Sequence, residues 1–160
     1  MSTILSEEVA LLLKDPATIK ILSTVDEKGE PHTVVKGSIR LGEDGNLVVA
    51  ELIESSHTHR NLTRAIWFGG KVAILLQGPG DSAFQIKGAP IKLHVSGPVF
   101  LKYYQAIQER LGDVGLAGIW IIRPEKVINQ SWKKRLKAEN KAHPSFIHLD
   151  RLVAEKPEAA

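Results

Sequence analysis

The chain has 160 residues, of which 43% are hydrophobic and 24% are charged, a composition that indicates one globular domain with a substantial core. It contains no cysteine, which excludes disulfide bonds, thiolate metal sites and cysteine nucleophiles. The formal net charge of +3 is too small to indicate a nucleic-acid-binding protein.

The first third of the chain predicts one helix and three short strands. The helix covers residues 6–14, with Ser6 as its cap, and Asp15-Pro16 stops it. Three runs with β-branched residues, separated by glycine-containing turns, predict strands over 18–25, 31–41 and 46–53. Because these turns are short, we expect the three strands to form an antiparallel meander in sequence order.

The remainder predicts strands with helices between them. Helices are indicated over 58–67 and 99–111, and a basic helix follows over 132–141. Apolar or alternating runs predict strands over 71–77, 83–95 and 116–122, the last continuing irregularly to residue 132. We expect a bulge or bend at Gly88-Ala89-Pro90. This count of six or seven mostly antiparallel strands predicts a mainly β fold, a closed or partly closed barrel with peripheral α-helices.

The sequence predicts a single domain over residues 1–153 and a disordered tail over 154–160. No apolar run approaches the length that spans a bilayer, and residues 1–8 lack the basic and apolar regions of a secretory signal. We therefore expect a cytoplasmic protein that does not bind a membrane.

Hydroxyl and basic side chains cluster at the start of the helix predicted over 58–67. The cluster follows an apolar strand and comprises Ser55, Ser56, His57, Thr58, His59 and Arg60. Backbone N–H groups at a helix start lack partners within the helix, and the helix dipole makes that end positive, so a phosphate binds there readily. The alternative is that Ser56 or Thr58 only caps the helix and the other side chains are solvated.

The order of the elements and three segments of the chain resemble the FMN-binding split-barrel family, which includes pyridoxamine 5′-phosphate oxidases. These segments are the first hairpin over 20–32, the strand over 33–39 and the helix start over 56–62. The resemblance covers residues 6–128. It implies an antiparallel split β-barrel that forms a homodimer, with one FMN in each of two clefts at the subunit interface. The implied activity is electron or hydride transfer with a small-molecule redox substrate or an electron-transfer partner.

The resemblance also implies which residues hold FMN. His57 and Thr58 match the pair that contacts the FMN phosphate, and Asn61 matches a polar helix position in small FMN-binding members. Because neither His57 nor Thr58 carries a fixed positive charge, we expect Lys36 to supply it, although an ordinary surface lysine is the alternative. The predicted cofactor-binding residues are Val35, Lys36, Gly37, Ser38, Ser56, His57, Thr58, Asn61 and Trp132.

Gly37, the three tryptophans and Phe68 carry further expectations. Gly37 allows a ligand to approach the backbone closely, and Trp132 is the candidate aromatic residue at the mouth of the site. We expect Trp120 to lie in the core and Trp67-Phe68 to pack in the core or at an interface. No side chain is an evident acid or base, so the sequence names no catalytic residue.

Other functions remain open at this stage. His57 and His59, completed by His143 or His148, are a candidate metal-ligand set, but residues two apart at a helix start diverge and we expect no metal. A split barrel of this kind also suits a deazaflavin, haem or pyridoxal phosphate. The basic helix over 132–141 suits a non-enzymatic module that binds an acidic partner or nucleic acid, although such a run is usually a solvated face.

Overall fold

Seven antiparallel strands form one sheet, curled into a half-barrel, in the computed structural model, which describes residues 4–144. The strands are β1 (Ile19–Val25), β2 (Pro31–Val35), β3 (Arg40–Leu41), β4 (Leu47–Glu51), β5 (Val72–Gln77), β6 (Ala83–His94) and β7 (Gly118–Asn129). The helices are α1 (Glu7–Lys14), α2 (His57–Phe68), α3 (Gly97–Leu111) and α4 (Trp132–Ala142). The predicted mainly β barrel with peripheral helices is confirmed; the tail predicted over 154–160 lies outside the described residues.

The sequential order expected for the first three predicted strands is wrong. The strands lie in the order β2-β1-β5-β6-β7-β4-β3. β1 and β2 form the expected hairpin, but the strand predicted over 31–41 breaks after Val35, in a turn in which the Ile39 N–H donates to the Lys36 carbonyl at 3.2 Å. The chain then crosses to the other edge of the sheet, where β4 lies between β3 and β7.

Burial on both faces explains the position of β4. All five of its residues are buried. Leu47 and Val49 pack into the interior of the half-barrel, whereas Val48 and Ala50 pack with Ile107 of α3 on the outer face. A strand that is apolar on both faces needs cover on both sides, which the edge of a meander does not give.

The main core fills the half-barrel beneath α1. Trp120 of β7 is buried there, as predicted, with Val9 and Leu13 of α1 in the same cluster. Trp67 and Phe68, at the end of α2, are largely exposed, so the core position expected for them is wrong. Their packing at an interface stays a prediction.

Several local predictions are confirmed. The Ser6 hydroxyl caps α1 by accepting a hydrogen bond from the Val9 N–H at 3.3 Å. The register between β6 and β7 shifts after Lys87 and after Pro90, which is the bulge expected there. The basic helix α4 forms, with no buried residue along its length. None of the helices in the described part of the chain is long and apolar enough to cross a membrane.

A buried lysine ties α1 to the sheet. Lys20 of β1 is only 7% exposed, and its ammonium group donates hydrogen bonds to the carbonyl oxygens of Leu13 at 2.6 Å and Ile39 at 3.2 Å. The Leu13 carbonyl belongs to the last turn of α1, where the helix dipole favours a cation. Burial, together with the charge of Arg40, lowers the pKa of Lys20. The strand pattern gave no sign of this role, because a lysine within an alternating strand is usually exposed.

Replacing Lys20 by methionine is expected to lower the free energy of unfolding by about 2–4 kcal/mol. The substitution removes two charge-assisted hydrogen bonds and leaves the Leu13 carbonyl without its donor. Urea denaturation measures the change. Lys71→Met is the control, because Lys71 forms an exposed ion pair with Glu125, and its loss should cost much less stability than the loss of Lys20. Equal losses in the two variants would contradict a structural role for Lys20.

Candidate functional site

A cavity of about 320 Å³ lies where the chain leaves β2 and crosses to the other edge of the sheet. Three parts of the chain form its walls: the segment after β2, the end of β4 with the residues that follow it, and the last turn of α3. The lining residues are Val35, Lys36, Gly37, Ser38, Ala50, Glu51, Leu52, Ile53, Ile107, Arg110 and Leu111. The structure therefore brings together the first four predicted cofactor-binding residues, and it adds Glu51 and Arg110.

A nearly buried ion pair lies in the wall of this cavity. The Lys36 ammonium is 2.6 Å from Oε2 of Glu51, and the two side chains are 17% and 2% exposed. The other oxygen of Glu51, Oε1, accepts a hydrogen bond from the Ile53 N–H at 3.2 Å. A carboxylate as buried as that of Glu51 requires a cationic partner. Lys36 is therefore not the free positive charge that we expected, although its ammonium has further protons to donate.

Arg110 supplies the uncompensated charge of the cavity. It lies in the last turn of α3 and is exposed. Among the described residues, no carboxylate lies within ion-pair distance of its guanidinium. Because Lys36 and Glu51 neutralise each other, Arg110 gives the cavity a net positive charge.

The segment from Val35 to Ser38 presents backbone and small side chains to the cavity. The Lys36 N–H donates to the Lys20 carbonyl at 2.8 Å, so the ladder between β1 and β2 continues one residue beyond β2. The Ser38 hydroxyl donates to the Ala50 carbonyl at 2.9 Å and holds this segment against β4. A Cβ atom added at Gly37 would meet nothing within 4 Å, so the backbone there is open to a ligand.

The start of α2 does not line the cavity. The Ser56 hydroxyl accepts a hydrogen bond from the His59 N–H at 3.0 Å, which confirms its capping role. Thr58 is buried, whereas His57 is exposed and its ring centroid lies 5.4 Å from that of His32. Of the predicted cofactor-binding residues Ser56, His57, Thr58 and Asn61, only His57 is exposed, and a phosphate contact here stays a prediction.

Two other predicted site residues have different surroundings. Asn61 is buried, and its side-chain amide donates to the Thr24 hydroxyl at 3.0 Å, a contact that holds α2 against β1. Trp132 is exposed at the start of α4 and does not line the cavity. Both oxygens of the Asp81 carboxylate accept hydrogen bonds from backbone N–H groups at the start of α4, those of Trp132 and Lys133.

The histidines of α2 point to different partners. The His57 ring lies beside His32, whereas Nδ1 of His59 accepts a hydrogen bond from the Trp120 indole at 3.1 Å. Within residues 4–144 no three His, Asp or Glu side chains are arranged to hold a metal ion. His148, one of the ligands considered, lies outside the described residues.

Glu51 and Arg110 were not identified from the sequence. Glu51 gave no signal, because a charged residue that follows an apolar run, here the run over 47–50, is usually exposed. Arg110 gave none, since only the packing of α3 against β4 brings it to the cavity.

No protein-family model and no curated protein sequence matches the chain. Solved structures do match it. HupZ from Group A Streptococcus is 22% identical, with a TM-score of 0.68 over 81% of this chain and 96% of HupZ. A candidate pyridoxamine 5′-phosphate oxidase from Lactobacillus delbrueckii is 22% identical, with a TM-score of 0.60 over 79% of this chain and 95% of that protein. An FMN-binding protein from Syntrophomonas wolfei is 20% identical, with a TM-score of 0.58 over 78% of this chain and 85% of that protein.

These structural similarities establish the fold. The chain has the split-barrel fold of pyridoxamine 5′-phosphate oxidase-like proteins, as the resemblance in its sequence implied.

Proposed function

We propose that this chain binds FMN in the cavity beside Lys36 and Glu51 and acts as a flavin-dependent oxidoreductase. A flavin requires an anion site, a flat apolar or amide wall, and donors to the polar edge of its ring. The observation that carries the proposal is the cavity itself, which joins the uncompensated charge of Arg110 and the donor group of Lys36 to an open backbone at Gly37. The FMN-binding protein of the same fold supports this choice of cofactor.

The residues of the cavity fit FMN. Backbone amides from Val35 to Ser38 form a wall with no side chain at Gly37, and the exposed Val35 and Ile53 are apolar surfaces for a ring. Arg110 supplies the net positive charge for a phosphate, and the Lys36 ammonium, although neutralised by Glu51, has further protons to donate. We retain the exposed His57 as a further phosphate contact. The position of α2 favours this, because the Ser56 N–H bonds to the Ile53 carbonyl at 3.1 Å and brings the helix start next to the cavity wall.

Bound FMN would supply the electron or hydride transfer. The residues of this chain bind and orient it: Glu51 fixes the position of the Lys36 ammonium, and Ser38 fixes the cavity wall against β4. No side chain in the cavity is assigned a proton-transfer role.

A second copy of the chain would complete the cavity. Val35, Leu52, Ile53 and Leu111 are apolar residues that line it and are nevertheless exposed in the single chain. Apolar side chains grouped around an open cavity favour a surface that another subunit covers. We therefore propose a homodimer in which this rim lies at the interface. Its cytoplasmic location likewise remains our expectation.

Titration of the apoprotein with FMN tests the proposed cofactor. We expect quenched flavin fluorescence and a shifted flavin absorption spectrum, with saturation below about 50 µM FMN. No binding in that range would overturn the proposal. The absorption spectrum of protein from its native host separates the alternatives, since a Soret band would indicate haem and a deazaflavin has its own bands.

Replacing Gly37 by valine is expected to weaken FMN binding by about tenfold or more, because the new side chain occupies the cavity wall. The melting temperature should hardly change, since a Cβ atom at Gly37 meets nothing within 4 Å. Gly115→Val is the matched control, because Gly115 is equally open, and its FMN affinity should equal that of the wild type. Equal affinities for all three proteins would place FMN elsewhere.

A further inference from the structure

The helix α4 is strongly basic, and the rest of the described chain does not cover it. It carries five cationic side chains and one carboxylate, and none of its residues is buried. The cations are Lys133, Lys134, Arg135, Lys137 and Lys141. Among residues 4–144, no carboxylate forms an ion pair with any of these five side chains. The whole-chain net charge of +3 therefore conceals a concentration of uncompensated positive charge on one helix.

Three of these lysines follow one another along the helix surface. Residues four apart lie on the same face, about 6 Å apart along the axis, so Lys133, Lys137 and Lys141 form a line of charge, which we call the lysine row. The adjoining row begins with Trp132, which is 65% exposed, and continues with Leu136. A line of cations thus lies beside an exposed aromatic ring.

This arrangement costs the helix stability when no anion is bound. Like charges four residues apart repel each other, and Lys133 and Lys134 in the first turn face the positive end of the helix dipole. A helix of 11 residues without packing is also marginal in water. Asp81 offsets part of the cost through its hydrogen bonds to the helix start. Sequences break such local rules mainly at functional sites, and a bound polyanion would remove the repulsion.

A second pair of unmatched cations lies on the strands that lead into α4. Lys87 of β6 and Lys126 of β7 are directly opposite each other in the sheet, and both are exposed. Like charges in this arrangement destabilise a strand pair. Lys126 precedes Trp132 by six residues, so the two lie within about 20 Å of each other. An extended polyanion spans this distance.

We propose that α4 binds single-stranded nucleic acid, with phosphates along the lysine row and a base stacked on Trp132. A single strand carries phosphates along one side and flat bases on the other, which matches a row of lysines beside an aromatic ring. An acidic protein offers the charges without the bases. An anionic membrane requires a broad apolar face, whereas the large apolar side chains of α4 are only Trp132 and Leu136. Because α4 does not line the FMN cavity, this proposal stands whether or not the chain binds FMN.

Fluorescence anisotropy with labelled oligouridylate and oligothymidylate, each of about twelve nucleotides, tests the proposal. In about 50 mM sodium chloride we expect a dissociation constant below about 50 µM. The logarithmic salt slope should be near −2, on the order of that for three lysines that each neutralise one phosphate of a single strand. Binding of either strand supports the proposal, and the tighter of the two shows which sugar is preferred. No binding of either strand would overturn it.

Glutamine substitutions locate the strand on the helix. The triple variant should bind oligouridylate at least about tenfold more weakly and lose most of the salt slope; it carries Lys133→Gln, Lys137→Gln and Lys141→Gln. Its melting temperature should not fall, because glutamine is a good helix former and the repulsion is gone. The matched control makes the same charge change at exposed lysines outside α4, with Lys14→Gln, Lys28→Gln and Lys92→Gln. Equal affinities in the two triple variants would overturn the proposal, since overall charge would then explain the binding.

Trp132→Ala separates nucleic acid from other polyanions. It should weaken oligouridylate binding about fivefold or more without changing the salt slope, because the indole stacks on a base and carries no charge. Trp67→Ala is the control, since Trp67 is 78% exposed but lies on α2, and its affinity should equal that of the wild type.

Two other polyanions serve as competitors in the same assay. Polyglutamate bound as tightly as oligouridylate, with no effect of Trp132→Ala, would assign α4 to an acidic protein and overturn the proposal. Binding to phosphatidylserine vesicles but to neither strand would assign it to a membrane surface and would overturn it too. Weaker binding of both competitors, together with the loss in Trp132→Ala, supports a nucleic-acid site.

Discussion

Replacing Lys36 by methionine is expected to lower the free energy of unfolding by about 3–5 kcal/mol, the largest change foreseen for any single residue here. The Glu51 carboxylate is 2% exposed, and Lys36 is its cationic partner at 2.6 Å. Without Lys36 the carboxylate stays buried with only the Ile53 N–H as a donor. Urea denaturation at neutral pH measures the loss.

Removing the charge of Glu51, the other partner of the pair, should cost less stability. Glu51→Gln leaves a lysine that is 17% exposed, and its flexible chain can carry the ammonium to solvent, so we expect a loss of about 1–3 kcal/mol. The double variant, with Lys36→Met and Glu51→Gln together, should be more stable than Lys36→Met alone, because no buried charge remains. The wild type, the two single variants and the double variant form a double-mutant cycle, which measures the interaction free energy between Lys36 and Glu51.

Lys102→Met is the matched control for this cycle. Lys102 and Glu43 form a pair of nearly the same length, 2.7 Å, but both side chains are exposed. Its loss should cost far less stability than the loss of Lys36, because solvent screens an exposed pair. If Lys36→Met cost no more than Lys102→Met, the pair at the cavity would be an ordinary surface contact and Glu51 would not be a fixed part of the site.

Local elements of this fold could be predicted because short-range physics determines them. The Ser6 cap and the Asp15-Pro16 stop define α1 within one stretch of chain. Likewise, Gly88-Ala89-Pro90 interrupts its strand whatever lies beside it. The pairing of β4 with β7 could not be read in this way, since it depends on α3 covering an apolar face that the sequence does not connect with it.

The site was predicted in part for the same reason. Val35 to Ser38 lie together because they are consecutive, and the cavity contains all four. The helix start gave an ambiguous signal, since a serine that caps α2 and a serine that binds phosphate give the same pattern. Asn61 is polar, but the sequence does not reveal that its side chain hydrogen-bonds to Thr24. Glu51 and Arg110 belong to the other walls of the cavity, and only the tertiary structure identifies them.

Replacing Ile53 by glutamate is expected to raise the dissociation constant of the proposed homodimer by about 100-fold or more. Ile53 is 61% exposed in the single chain and lines the cavity that a second copy would cover. A carboxylate at the centre of such an interface loses its hydration and replaces an apolar contact with a charge. Sedimentation equilibrium measures the dimer, and fluorescence titration measures FMN affinity, which should fall with it.

Leu11→Glu separates this effect from a general loss of apolar surface. Leu11 is also 61% exposed and lies on α1, outside the cavity. Its variant should therefore form the same dimer and bind FMN as the wild type does. Because both side chains are exposed, neither substitution should change the melting temperature by more than a few degrees. A wild-type monomer at about 50 µM, or an Ile53→Glu dimer as tight as that of Leu11→Glu, would mean that no second copy covers this cavity.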